Sequence, residues 1–130
     1  MIRLLIVDDH AVVRQGLEQL FGICPDISVV GTAADGVAAV AQVDALAPDV
    51  VLMDIGMPRL DGVEATRQIL AAHPDAKIVI LTSYTDESRI LEAVNSGALG
   101  YLLKHSDPLE VIEAVRAAGA GDEVPRGLRP

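Results

Sequence analysis

Five short apolar runs, separated by stretches of helical period, constrain this chain more than any other feature. They are "RLLIV", "ISVVGTA", "DVVLM", "KIVIL" and "GALGYLL". Each has the length of a strand, is rich in β-branched residues or leucine, and is apolar without strict alternation. A strand with one wet face alternates polar and apolar residues. A strand buried on both faces has no need to, and such runs mark a parallel sheet covered on both sides.

The intervening stretches carry helical stripes: Val13, Leu17 and Phe21; Val63, Thr66, Ile69 and Leu70; Ile90, Leu91 and Val94; Leu109, Ile112 and Val115. A fifth stretch, "DGVAAVAQVDALA", is helical by its alanines and by Val37, Val40 and Ala41. Gly22, Pro48, Pro74, Gly97 and Gly119 follow these runs as stop signals. In "SDPLE", Asp107 is placed to cap a helix with Pro108 at its first position and Glu110 two further on. The spacing therefore predicts a (βα)5 α/β fold, whose right-handed crossovers put helices on both faces of a parallel sheet. The Gly/Pro-rich end, "GAGDEVPRGLRP", reads as a linker or tail, which divides the chain into a domain over 1–119 and a tail over 120–130.

Composition narrows the function. At 130 residues there is enough chain for one core without staples, and the single cysteine, Cys24, leaves no internal disulfide and reads as a passive thiol. A net charge of −9 opposes direct binding to nucleic acid through phosphate contacts. There is no leader pattern and no apolar run of membrane-spanning length, so a cytoplasmic protein without membrane contact is expected.

Ligands of such sheets bind beyond the carboxyl ends of the strands. The first run ends in Asp8 and Asp9, the third in Asp54, the fourth in Thr82 and Ser83, and the fifth in Lys104, one of two lysines in the chain. Only the second ends without a strong chemical group. Three carboxylates on one rim would repel one another, and a hard divalent cation removes the conflict; an oxygen-only ligand set suits Mg2+. A lysine directly after "YLL" calls for an anion. Cation, carboxylate nucleophile, ammonium and hydroxyl are together the parts that move a phosphoryl group, with the carboxylate forming an acyl phosphate. His10, His73 and His105 form no metal set and read as solvated or capping residues. Asp61 and Gly62 read as the turn that opens the third helix.

Taken in order, Asp8 and Asp9, "DIGMPRLDG" from Asp54, Thr82, Tyr101 and Lys104 resemble the receiver domain of two-component response regulators, over residues 2 to 119. The resemblance implies the flavodoxin-like strand order 2-1-3-4-5 and phosphorylation of Asp54 by a partner histidine kinase. It implies Mg2+ held by Asp9, Asp54 and the backbone carbonyl of Gly56, with Asp8 acting through water. Lys104 would pair with the phosphoryl group, Thr82 would hydrogen-bond it, and Tyr101 would be the switch aromatic that turns inward as Thr82 moves. The domain would be a phosphoacceptor that catalyses its own phosphorylation and slow dephosphorylation, not an enzyme acting on other substrates.

"DDHAVVRQGL" and "GALGYLLKHSDPLEVIEAVR" resemble more narrowly the NarL/FixJ type, whose members usually carry a helix-turn-helix DNA-binding domain. None follows here, and the expectation is an excised receiver, with a stand-alone one as the alternative; it would contact DNA only through that missing domain, and a homodimer on phosphorylation is open to it. His105 stands where some receivers have a cis-proline, so a trans bond is expected, since a cis bond to a non-proline residue costs roughly 2.5–4 kcal/mol. Gly56 and Tyr84 occupy positions that influence phosphate lifetime in the family. Three other classes are weighed against this reading. A dehalogenase-type phosphatase wants an acid at Gly56, a nucleotide or flavin binder wants a phosphate loop where Asp8 and Asp9 stand, and a phosphate-independent interaction module has no need of the acid, threonine and lysine set.

Overall fold

The apolar runs form strands because their large side chains are taken up by hydrophobic cores on both faces of the sheet. In a computed structural model, which describes residues 1–57, 59–82 and 87–121, the order is β1 (Ile2–Val7), α1 (Ala11–Gly22), β2 (Ile27–Ala33), α2 (Gly36–Leu46), β3 (Val50–Asp54), α3 (Gly62–Ala72), β4 (Lys77–Thr82), α4 (Glu87–Asn95), β5 (Gly100–Leu103) and α5 (Pro108–Ala120). The five strands are parallel in the order β2-β1-β3-β4-β5. Ser83, Tyr84 and Pro58, the start of "DESRILE", and residues 122–130 lie outside the described residues.

Successive strand residues point to opposite faces, and each face has its own core. Leu4, Ile6, Leu52, Val79 and Leu102 pack with Phe21 of α1 and with Val111, Ile112 and Val115 of α5. Leu5, Val7, Met53, Ile78 and Ile80 pack with Val43 of α2, Val63 and Ile69 of α3, and Ile90 of α4. Burial on both sides is why "RLLIV" and "KIVIL" show no alternation. Cys24 belongs to the first face, buried, its thiol donating to the Leu20 carbonyl at 3.7 Å.

Several helical expectations need correction. Val37, Leu91 and Leu109 are 56, 65 and 69 % exposed. The inward stripes run instead through Gly36, Ala39 and Val43 in α2, Ile90 and Ala93 in α4, and Val111, Ile112, Ala114, Val115 and Ala118 in α5. Small residues occupy the inner faces, which a reading weighted to large side chains shifts sideways. Gly119 does not stop α5; it lies within the last turn, where a Cβ would come within 2.6 Å of the Ile2 side chain. The cap is Gly121, whose φ of 80° suits only a residue without Cβ, and whose N–H donates to the carbonyls of Ala117 and Ala118. The strand expected from Gly97 starts at Gly100: Gly97, at φ 113°, closes α4, and the Leu99 N–H joins the Ile78 carbonyl at 2.9 Å. The described residues contain no cis peptide bond, so Lys104 and His105 are joined in trans as expected. Asp107 caps α5 through Oδ1, which accepts from the Leu109 N–H.

Candidate functional site

The strand order places the polar strand ends side by side. β1 and β3 are neighbours with Val7 opposite Met53, so the next residues out, Asp8 and Asp54, stand together at the carboxyl rim. On β4, Leu81 is opposite Asp54, and Thr82 is one step further toward the rim. Thr82 is buried, and its carbonyl accepts the Lys104 N–H at 2.7 Å. β5 lies two strands from β3, about 10 Å away. Only a long side chain reaches back: Lys104 brings its Nζ to 3.2 Å from both Asp8 Oδ2 and Asp54 Oδ1.

Asp8 and Asp54 are 0 and 2 % exposed. Burial drives the Asp54 carboxyl up to about 6 from an ordinary 3.8, the charge on Asp8 pushes the same way, and Lys104 pulls against both. For Lys104, burial works to lower the ammonium, but the two carboxylates prevail and hold it above its ordinary range. The balance is incomplete. Three carboxylates face one ammonium, and Asp54 Oδ2 is buried without a hydrogen-bond partner among the described residues. Asp8, Asp9, His10 and Asp54 each offer a ligand atom, all within 4.8 Å of one another. Two surplus negative charges and an orphaned carboxylate oxygen fit a divalent cation.

Neighbouring backbone shapes this rim. Gly62, the first residue of α3, abuts β3: its N–H donates to the Ile55 carbonyl at 2.9 Å, and a Cβ there would lie 2.1 Å from the Asp54 carbonyl oxygen. Asp61 caps the same helix, accepting from the Glu64 N–H at 2.9 Å, and pairs with Arg89 of α4. The turn read at Asp61 and Gly62 is therefore also the floor under the Asp54 backbone. Gly56 follows two residues after Asp54 with open space around it, and supplies no acid there. Tyr101, opposite Ile80 on β5, is 7 % exposed and lies inward among the residues packed under α4.

Three participants escaped the sequence reading. Arg14, one helical turn along α1, donates from Nη1 to the Asp8 carbonyl at 2.6 Å. Asp35 is buried after β2, capping α2 through the Ala38 N–H and pairing with Arg59 at 2.9 Å; the end of β2 is thus not without a charged group. His10 is the third: it is exposed, as a solvated residue is, but its ring also reaches the acid pair. It does occupy the N-cap position of α1, but its side chain makes no cap bond. Its Nδ1 instead lies 3.0 Å from Asp8 Oδ1 and 3.1 Å from Asp9 Oδ1. The only advance signal was its place next to the acid pair. His73 stands at the end of α3 with Nε2 2.6 Å from Asp44 Oδ1, and His105 is exposed.

Comparison with known proteins agrees with the fold. The family described as response regulator receiver domain matches residues 4–116. The chain is 46 % identical over 122 residues to the transcriptional regulatory protein LiaR of Bacillus subtilis, covering 94 % of this chain and 58 % of that protein. It is 43 % identical to the oxygen regulatory protein NreC of Staphylococcus carnosus, covering 93 % and 56 %. The chain thus spans about half the length of the curated relatives it matches. Among solved structures it resembles a LuxR-family two-component response regulator from Aurantimonas sp. SI85-9A1, with TM-score 0.89, 38 % identity, and 95 % and 88 % of the two chains covered. It also resembles the receiver domain of the putative response regulator NarL from Mycobacterium tuberculosis, with TM-score 0.87, 30 % identity, and 92 % and 97 % covered.

Proposed function

The chain belongs to the response regulator receiver domain family, and from that premise we propose that Asp54 takes a phosphoryl group from a partner histidine kinase. The observation that carries the proposal is the Asp54 carboxylate itself: buried at the end of β3, short of hydrogen bonds, and 3.2 Å from the Lys104 ammonium. A carboxylate oxygen there attacks phosphorus, an O–P bond forms as the N–P bond of the phosphohistidine breaks, and the imidazole nitrogen leaves with the electron pair. Lys104 neutralises charge on the transferred group and remains its ion pair afterwards. The Thr82 hydroxyl, at the end of the neighbouring strand, donates to a phosphoryl oxygen.

Asp9, Asp54 and the Gly56 carbonyl would hold Mg2+, with Asp8 acting through water; the ion would neutralise both the carboxylates and the incoming phosphoryl oxygens. Hydrolysis of the acyl phosphate by the domain itself, slowly, resets the state. Phosphorylation favours an arrangement of β4, β5 and α4 that the domain already samples, with Thr82 and the inward Tyr101 as its moving parts. The output is control of transcription in the cytoplasm through a DNA-binding domain joined after the receiver and a linker, together with homodimerisation; the receiver runs through α5 to Ala120 and its cap Gly121, a little past the 119 read from sequence. The names of the relatives support this output, since LiaR is a transcriptional regulatory protein. No helix among the described residues is long and apolar enough to cross a membrane.

The test is amide NMR of wild type and Asp54→Asn with Mg2+ and beryllofluoride, an acyl phosphate mimic, at two protein concentrations. The expected result is large shifts around Asp54, Thr82, Tyr101 and Lys104 that require both Mg2+ and Asp54. A wild-type spectrum that binds Mg2+ yet ignores beryllofluoride would sink the phosphoacceptor reading.

A further inference from the structure

The acid rim holds one group that the phosphoacceptor reading does not use. His10 lies beside the pocket, and its backbone is tied to it: the His10 N–H donates to Asp8 Oδ1 at 2.8 Å. The ring is 63 % exposed, and what holds it over the carboxylates is polar contact, with Nδ1 at hydrogen-bond distance from Asp8 Oδ1.

The distances suit a direct hydrogen bond and also the spacing of ligands around a shared ion. Nδ1 is 3.0 Å from one carboxylate oxygen and 3.1 Å from another. Adjacent ligands of an octahedral ion with bonds of about 2.1 Å are separated by about 3.0 Å. Asp54, 2 % exposed and with its Oδ2 lacking a hydrogen-bond partner among the described residues, belongs to the same cluster. The candidate direct ligands are therefore the Asp9 and Asp54 carboxylates and the exposed imidazole, with Asp8 beside them.

We propose that His10 is a metal ligand that extends this pocket from hard cations to imidazole-seeking divalent ions of the Co2+, Ni2+ and Zn2+ class, which bind there in competition with Mg2+. The inference rests on the pocket being a divalent-ion site, as the proposed function requires. The physical basis is ligand preference: Mg2+ keeps oxygen ligands and waters, whereas these ions gain strongly from a neutral imidazole nitrogen. His10 thus leaves Mg2+ affinity nearly unchanged and raises affinity for the other class. A transition ion so bound occupies the Asp9 and Asp54 oxygens that Mg2+ needs, so the receiver becomes sensitive to which ion is abundant.

Co2+ is the probe, because a ligated histidine shows a hyperfine-shifted, exchangeable imidazole N–H proton. Wild type, His10→Phe and Asp9→Asn are titrated with Co2+ and, separately, with Mg2+, following amide shifts at the rim. The expected result is one shifted exchangeable proton in wild type, displaced by excess Mg2+ and absent from His10→Phe. In that variant Co2+ affinity falls about tenfold or more, while Mg2+ affinity stays within about twofold. Retained Mg2+ binding shows that the variant is folded. If Co2+ competes with Mg2+ but no shifted imidazole proton appears, or the proton persists in His10→Phe, the proposal is overturned while the phosphoacceptor reading stands. If neither ion perturbs the rim of wild type in a manner lost in Asp9→Asn, the divalent site fails, and both readings fail with it.

Discussion

Replacing Asp54 by Asn should make the metal-free protein more stable, and the gain should depend on pH. In the folded chain the Asp54 carboxyl is raised to about 6 from 3.8, by burial first and by the Asp8 charge second. A group whose folded pKa lies above its unfolded value supports folding in full below the unfolded value. That support is lost as pH rises through the folded one. At about 1.4 kcal/mol per pH unit, the interval from 3.8 to about 6 corresponds to about 3 kcal/mol at neutral pH. Asn preserves shape and removes the charge, so Asp54→Asn should gain about 1–3 kcal/mol at pH about 7.5, and almost nothing at pH about 4 where Asp54 is largely protonated. Urea unfolding in the presence of a chelator reads this as a midpoint about 1 M higher at the upper pH. Added Mg2+ should then narrow the gap, since it binds wild type better and stabilises it by about 1.4 kcal/mol for each tenfold excess over its dissociation constant. A variant less stable than wild type at pH about 7.5, or a gain undiminished at pH about 4, would refute the reasoning that Asp54 is an electrostatically disfavoured buried anion.

Lys104→Met should act in the opposite sense. Removing the ammonium leaves Asp8 and Asp54 buried without their shared cation, which should cost about 1–3 kcal/mol above the Asp54 pKa and little in acid; urea curves at the two pH values check this, and a loss equal at both would count against it. Gly62→Ala should destabilise by about 2–3 kcal/mol, because its Cβ would sit 2.1 Å from the Asp54 carbonyl oxygen and the obstacle is backbone; amide shifts at Asp54 and Ile55 should move with the loss of stability. Gly16→Ala, in α1 with nothing within 4 Å, should instead stabilise by about 0.5–1 kcal/mol through helix propensity. Thermal unfolding of the glycine pair tests whether close backbone approach, and not glycine content, decides the sign.

Strands were legible in the sequence because both faces of each are covered by helices, which turns a strand into an uninterrupted apolar word. Helix faces were less so. Ala39, Ala93, Ala114 and Ala118 are each fully buried, yet alanine carries little weight in a periodicity count, so the stripes drifted to Val37, Leu91 and Leu109. Gly119 shows the same limit: as a letter it signals an end, and in space it makes room for Ile2. At the site, the acids and Lys104 were legible because each directly follows an apolar run, and strand ends share one rim. Arg14, Asp35 and His10 were not, because what brings them in is the path of the connections: α1 turns Arg14 back over the Asp8 carbonyl, and Arg59 meets Asp35 across two loops.

The residues that read most clearly as functional are also those the packed fold accommodates worst. Two hydrophobic cores close around Asp8 and Asp54 without neutralising them, and one lysine balances less than the charge present. A ligand can shift a conformational equilibrium only by binding one arrangement better than another. A rim that already disfavours its own charge by about 3 kcal/mol, a sizeable fraction of a domain's net stability, supplies that difference in advance. Any cation or phosphoryl group that satisfies the rim changes the balance of the strands and helices that hold it. Its influence has a short physical route outward: from the Asp54 backbone to Gly62, from Asp61 to Arg89 on α4, and from Thr82 to Lys104 and β5. If Asp54 is the phosphoacceptor proposed above, the unsatisfied charge is the source of the response, and stabilising the rim by Asp54→Asn should remove that response while strengthening the fold.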